Sequence, residues 1–274
     1  LSGLNENMPA AVQLFEKLLA DAQVNKEAYT NMTSDILKAR SDAKLNQGQN
    51  FSRLMSFAMY GPKSPATNLL TEAELTNMNP QELVDRIHNQ NSYKHRILYY
   101  GPSSSKDLLA TINQYHQVPA ALKDIPAGNE YAYLETPVTK VLVAPYDAKQ
   151  IYMAQISNLD KKYDPAIEPI RALYDEYFGG GMNSIVFQEM RETRGLAYSA
   201  WASIMPPSYL KYPYVLRTQI ATQNDKMIDA VTTFNDIINN MPESEAAFKL
   251  AKDGLTNRLR TERIIKGDII WSYI

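Results

Sequence analysis

"FGGGMNSIVFQEMRETRGLAYSA", Phe178 to Ala200, decides how the rest of the chain is read. It opens on a glycine triplet, passes through a charge-dense stretch with helical character, and ends in a small and aromatic run suited to a strand. Asn183 or Ser184 is placed to cap the helix, and Gly195 supplies the turn into the strand. The triplet Gly179–Gly181 precedes a helix N-terminus, where backbone N–H groups can hold an anion. It lacks the Gly-Lys-Ser/Thr ending of a P-loop and is not Gly-x-Gly-x-x-Gly. A tight turn that lets a helix approach a sheet is therefore the favoured reading. Arg191 lies near the helix end and Tyr198 near the strand start, so the helix-turn-strand can aim both at one point. A rigid donor fork and a phenolic hydroxyl suit a peptide carbonyl or a developing oxyanion. A structural Arg-Tyr contact explains the spacing equally well. Glu189 and Glu192 beside Arg191 and Arg194 read as a salt-bridged helix end rather than an acid-base pair.

Working outward, the downstream half predicts "AYSAWASIM" and "YVLRTQIAT" as an antiparallel pair joined by "PPSYLKYP"; the aromatic cluster "PPSYLKYPYV" can grip a partner, but a loop that packs its tyrosines against the sheet is the favoured reading. Two amphipathic helices follow, "NDKMIDAVTTFNDIINN" and "SEAAFKLAKDGLTNRLRTERI". Upstream of the glycines, a helix spans about 165–177, and "YAYLETP", "KVLVAPY" and "IYMAQIS" are expected as three short strands. Val118–Asn129, "VPAALKDIPAGN", has no sustained period and marks a domain boundary. Before it come helices: "NMPAAVQLFEKLLADA" with Val12, Phe15, Leu18 and Leu19 on one face, "NKEAYTNMTSDILKARSDAKL" with Tyr29, Met32, Ile36 and Leu37 apolar, and a third over about 50–59 that stops at "YGPKSP". "LTEAEL" carries a capping box, Thr71 with Glu74. "NPQELVDRIHNQ" starts a further helix at Pro80, "HRILYYGP" is a short β-rich run, and "SSKDLLATINQYH" is again helical. Strands and helices are interspersed, which predicts an α+β fold in two layers, a mixed or antiparallel sheet with helices on one face.

Bulk composition narrows the function. The 274 residues suit one large domain or two smaller ones, and 45% hydrophobic residues can bury a sizeable core. The net charge of −2 and the lack of a basic block argue against a nucleic-acid partner. No apolar run approaches the roughly 18 residues that cross a membrane. Without cysteine there is no disulfide, thiolate nucleophile or thiolate metal site. The histidines, His88, His95 and His116, lack the H-E-x-x-H or H-x-x-E-H spacing, so they read as surface or satisfied side chains and no metal site is expected here. The chain starts at Leu1 without methionine and stops at "WSYI", which reads as an excised piece of a longer protein. No compartment follows; bacterial periplasm and cytoplasm both stay open.

The aromatic-Gly-Gly-Gly, the following Ser, Phe-Gln-Glu, Arg-Glu and Arg-Gly-Leu-Ala-Tyr-Ser in "YFGGGMNSIVFQEMRETRGLAYSAWAS" resemble the helix-turn-strand signature of insulinase/pitrilysin-type zinc metallopeptidases, among them the mitochondrial processing peptidases. Weaker likeness runs upstream through "LYYGPSSSKDLLATINQYHQVP" and downstream through "PESEAAFKLAKDGLTNRLRTE". The resemblance implies peptidase-like α+β domains: residues 1–122 as the C-terminal part of one, residues 123–274 as most of the next. In that family one half carries zinc on H-x-x-E-H, and the partner half reaches a bound peptide with an Arg and a Tyr. Those roles fall on Arg191 and Tyr198: Arg191 to hold a substrate carbonyl, Tyr198 to help stabilise the oxyanion, which needs donors beyond the metal. This sequence has no H-x-x-E-H. It therefore looks like the non-catalytic half, with no cofactor of its own, zinc supplied by a half in the same polypeptide or a separate subunit, and a peptide or unfolded protein as substrate. The competing expectations are a structural subunit without peptidase activity and a peptide-binding module without hydrolysis.

Overall fold

The computed structural model describes residues 1–265 and 267–271. Ser272–Ile274, the end of "WSYI", lie outside the described residues. The fold is α+β, and the chain forms two compact units.

The first unit takes Leu1–Arg40, Leu70–Asn129 and the residues after Glu262. It is helical: α1 (Met8–Ala20), most of α2 (Lys26–Lys44), α4 (Glu72–Asn77), α5 (Gln81–Asn89) and α6 (Ser105–Tyr115). Each start has a local cause. Thr71 and Glu74 close the expected capping box on α4, and the Ser104 side chain accepts from the Asp107 N–H at the head of α6. Two expectations need correction. On α1, Phe15 and Leu18 are exposed, and the inward face is Val12, Glu16 and Leu19, one helical row that carries a carboxylate. That carboxylate is inward because it is satisfied. Glu16 accepts from His116 Nδ1 at 2.8 Å and from the Asn91 amide at 2.9 Å. The "HRILYYGP" run forms no strand; the only pairing near it among the described residues is one bridge, Tyr93 to Lys123.

The second unit takes Ser41–Leu69 and Glu130–Glu262. Its sheet is antiparallel, in the order β1 (Gln150–Lys162), β3 (Pro213–Gln223), β2 (Ser199–Met205). β2 and β3 are the expected pair, in register from Ser199 opposite Ala221 to Met205 opposite Val215. Ile220 of β3 faces Met153 on one side and Ala200 on the other. This row meets Phe178 of α7 (Glu168–Phe178), Val186 of the short α8 (Ile185–Phe187) and Phe234 of α9 (Met227–Asn239) in one core. Buried Ala230, Phe234 and Ile237 recur at i, i+4, i+7, so α9 folds amphipathic against the sheet. α10 (Glu245–Thr261) contributes Ala251 to the same core, and α3 (Gln47–Tyr60) sets Phe51 edge-on to Tyr152 of β1 at 5.6 Å. A short α11 (Asp268–Trp271) belongs to the first unit.

Of the three strands expected between 130 and 157, only "IYMAQIS" is one. "YAYLETP" and "KVLVAPY" form no strand and pair with none among the described residues, with Val141 82% and Val143 79% exposed. Their residue types favour a pleated surface, yet no neighbouring strand supplies a ladder. Single bonds hold the segment instead: the Leu134 N–H donates to Met59 O at 2.7 Å, and the Asn158 amide donates to Leu134 O at 2.7 Å. The "PPSYLKYPYV" tyrosines divide. Tyr214 is buried and donates to Glu168 at 2.6 Å, whereas Tyr209 is exposed and Tyr212 donates to Glu130 at the surface.

Candidate functional site

The glycine triplet places the site. α7 ends with Gly179 against β2, where an added Cβ would run into the backbone N and O of Ala202. Asp175 locks this approach. Its carboxylate accepts from the Ile204 N–H at 2.8 Å, the Ser203 hydroxyl at 3.0 Å and Arg171 at 2.7 Å, and its carbonyl accepts from the Gly179 and Gly180 N–H groups. Burial pushes the Asp175 carboxyl up, and the Ile204, Ser203 and Arg171 partners pull against it. The triplet is thus a close-packing turn, as its sequence suggested.

Ser184 is the N-cap that follows, accepting from the Phe187 N–H at 3.3 Å. The expected helix is then only partly α-helical. Gln188–Thr193 form a wider π-helical turn, and buried Met190 offers its carbonyl to the N–H groups of both Leu196 and Ala197, at 2.8 and 3.2 Å. This turn brings the chain round to Gly195, whose φ of +56° favours glycine. Tyr198 N then donates to Ala221 O at 2.8 Å, and the strand begins.

The result sets Arg191 and Tyr198 side by side. The Arg191 guanidinium lies 5.0 Å from the Phe187 ring centroid and 5.6 Å from that of Tyr198. Both line a cleft of about 290 Å³, together with Gln150, Leu196, Thr222, Gln223 and Lys226. Tyr198 is 70% exposed. Among the described residues, neither its hydroxyl nor the Arg191 guanidinium makes a hydrogen bond; the nearest carboxylate oxygen to Arg191 is Glu192 Oε1, 3.6 Å from Nε. Arg171 shows the contrast, spending its donors on Glu168, Asp175 and the Ile204 carbonyl. Glu189 pairs with Arg194 at 3.4 Å, so the two glutamates sit in the salt-bridged helix end expected of them.

Lys226 is the residue that sequence reasoning missed. Its Nζ donates to Gly195 O at 3.0 Å, bracing the turn between Arg191 and Tyr198. It stands at the head of α9, far along the chain, and no motif marks it.

Zinc needs three or four His, Cys or carboxylate ligands around one point. Among the described residues no three such side chains converge. His95 and His116 do meet, Nε2 to Nε2 at 2.8 Å, but His95 Nδ1 is engaged by the Tyr93 carbonyl and His116 Nδ1 by Glu16. This is a hydrogen-bonded chain that ties α1, α6 and the 93–95 segment. The residues present do not fit a zinc site. No described helix is long and apolar enough to cross a membrane.

Comparison with known proteins places these features. Residues 97–255, more than half of the chain, match the family described as "Peptidase M16 inactive domain". No curated protein matches in sequence. The fold is similar to that of a peptidase M16 inactive domain from Pseudomonas fluorescens, at TM-score 0.60 and 17% identity over 92% of this chain and 61% of that one. It is similar to the periplasmic protease PqqL from Escherichia coli, at TM-score 0.69 and 13% identity over 97% and 29%. It is also similar to a ferredoxin protease, FusC, whose structure was solved with Arabidopsis ferredoxin, at TM-score 0.62 and 11% identity over 93% and 28%. The chain spans about three fifths of the first structure and less than a third of the other two. At these identities the likeness speaks for the fold.

Proposed function

Because the chain belongs to the peptidase M16 inactive-domain family, we propose that it is the non-catalytic half of an insulinase/pitrilysin-type zinc metalloendopeptidase. Zinc and its ligands belong to a complementary half, in the same polypeptide or in a separate subunit. This chain helps bind a peptide or unfolded protein. Arg191 holds a backbone carbonyl of the substrate through its planar fork. Tyr198 donates its phenolic proton to the oxygen that becomes negative. The observation that carries this reading is a pair of donors on one cleft that make no hydrogen bond among the described residues, Arg191 held against two rings with only a 3.6 Å ion pair to Glu192, and Tyr198 largely exposed. A buried structural Arg would satisfy its donors as Arg171 does. The division into family domains at 122/123 belongs to the same proposal, supported by a Val118–Asn129 stretch exposed at every residue except half-buried Leu122.

The second reading is a structural subunit without peptidase activity. It draws on the same stack, since Arg191 over Phe187 and Tyr198 is also a self-sufficient packing contact. Peptide hydrolysis separates the two. The assembled protein is expected to cleave peptides, to stop with a chelator and to resume with zinc, while this chain alone does neither. Chelator-sensitive cleavage by this chain alone, or no cleavage by the assembly, overturns the proposal.

A further inference from the structure

The lining of the Arg191–Tyr198 cleft carries two cations, Arg191 and Lys226, and no carboxylate. Glu192 sits outside the lining, 3.6 Å from Arg191 Nε. Lys226 has no ion pair among the described residues; its one described bond is to the Gly195 carbonyl. An ammonium keeps two further donors after that bond. The remaining side chains of the lining, Gln150, Leu196, Thr222 and Gln223 among them, are neutral. A cleft whose charges have one sign favours a ligand of the other sign.

We propose that this cleft selects a carboxylate, with Lys226 as the residue that provides the selection. The carboxylate is either the free C-terminus of a bound peptide or an Asp or Glu side chain within it. The inference rests on the peptide-binding reading above and adds a substrate class to it. Lys226 also acts as a positioning residue, because its bond to Gly195 O holds the left-handed turn that separates Arg191 from Tyr198.

The experiment measures binding of fluorescent peptides by anisotropy to the assembled protein, this chain together with its complementary half. Four probes share one uncharged sequence. One ends in a free carboxylate, one in an amide, and two amidated versions carry an internal Glu or the matched Gln. The free-acid probe, the Glu probe or both are expected to bind about three- to tenfold tighter than their neutral partners, the range of a partly screened charge contact. Which of them gains identifies the source of the carboxylate. The preference should shrink between low and high salt. Lys226→Met should erase it and Lys226→Arg should keep it. The salt series on the unaltered chain keeps the test decisive if Lys226→Met does not fold. Equal binding of charged and neutral probes overturns the carboxylate selection and leaves peptide binding standing. Absence of binding by all four overturns both.

Discussion

Gly179→Ala puts a methyl group where the structure has no room for one. The new Cβ overlaps the backbone N, C and O of Ala202 in β2, and a backbone cannot rotate aside as a side chain can. Gly179 has a negative φ, so the penalty is steric and not conformational. Restoring ordinary contact distance needs on the order of 1 Å of separation between the end of α7 and β2. That movement pulls on the Asp175 bonds to Ile204 and Ser203, which hold the same two elements together. Overpacking of this kind costs about 2–3 kcal/mol. For a unit of this size that is a fall in Tm of about 4–12 °C. Gly181→Ala is the internal control, because nothing lies within 4 Å of its Cβ; a change within about 0.5 kcal/mol is expected. Differential scanning calorimetry of the two variants beside the unaltered chain gives the comparison. If Gly179→Ala melts with Gly181→Ala, the triplet is not a close-packing turn and its explanation fails.

Further predictions follow from the same contacts. The Glu168 carboxyl is held below its ordinary 4.5, first by the Tyr214 hydroxyl and then by Arg171. A depressed carboxyl contributes stability above its unfolded value and loses it as pH falls through the folded value. Glu168→Gln should therefore flatten the decline in urea midpoint between pH 5 and pH 3, about the acid range of carboxylates; an unchanged decline would remove Glu168 from the account. His116→Ala leaves inward-facing Glu16 with one partner fewer and should cost about 1–3 kcal/mol in chemical denaturation, with His95→Ala costing less; equal and negligible losses would mean the chain of bonds is idle. Arg191→Lys in the assembled protein keeps the charge and loses the fork, so its defect should appear partly in KM.

The part of the fold that was legible in the sequence is the part whose signals are local. The Thr71–Glu74 box, the Ser184 cap, the 3.6-residue repeat of α9 and the glycines before α8 each act within a few residues. The paired strands were readable because "AYSAWASIM" and "YVLRTQIAT" stand close along the chain. What failed was non-local. Val141 and Val143 have strand character, but pairing needs a neighbour that sequence does not reveal. The α1 face was misjudged because Glu16 faces inward onto partners far along the chain, Asn91 and His116 at the end of α6. The π-helical turn at Gln188–Thr193, whose buried Met190 takes two N–H groups from beyond the turn, was invisible in periodicity. At the candidate site, the motif drew attention to Arg191 and Tyr198, and the fold sets both beside one cleft. Lys226 reaches the same turn through the fold alone.

The most direct test of the central proposal is Tyr198→Phe in the assembled protein with its zinc half, at matched melting temperature. The substitution removes one hydroxyl and keeps the ring that stacks beneath Arg191. If Tyr198 donates to the developing oxyanion, kcat should fall about 100- to 1,000-fold, with KM nearly unchanged. Full activity in Tyr198→Phe would contradict that role and leave the stack as packing.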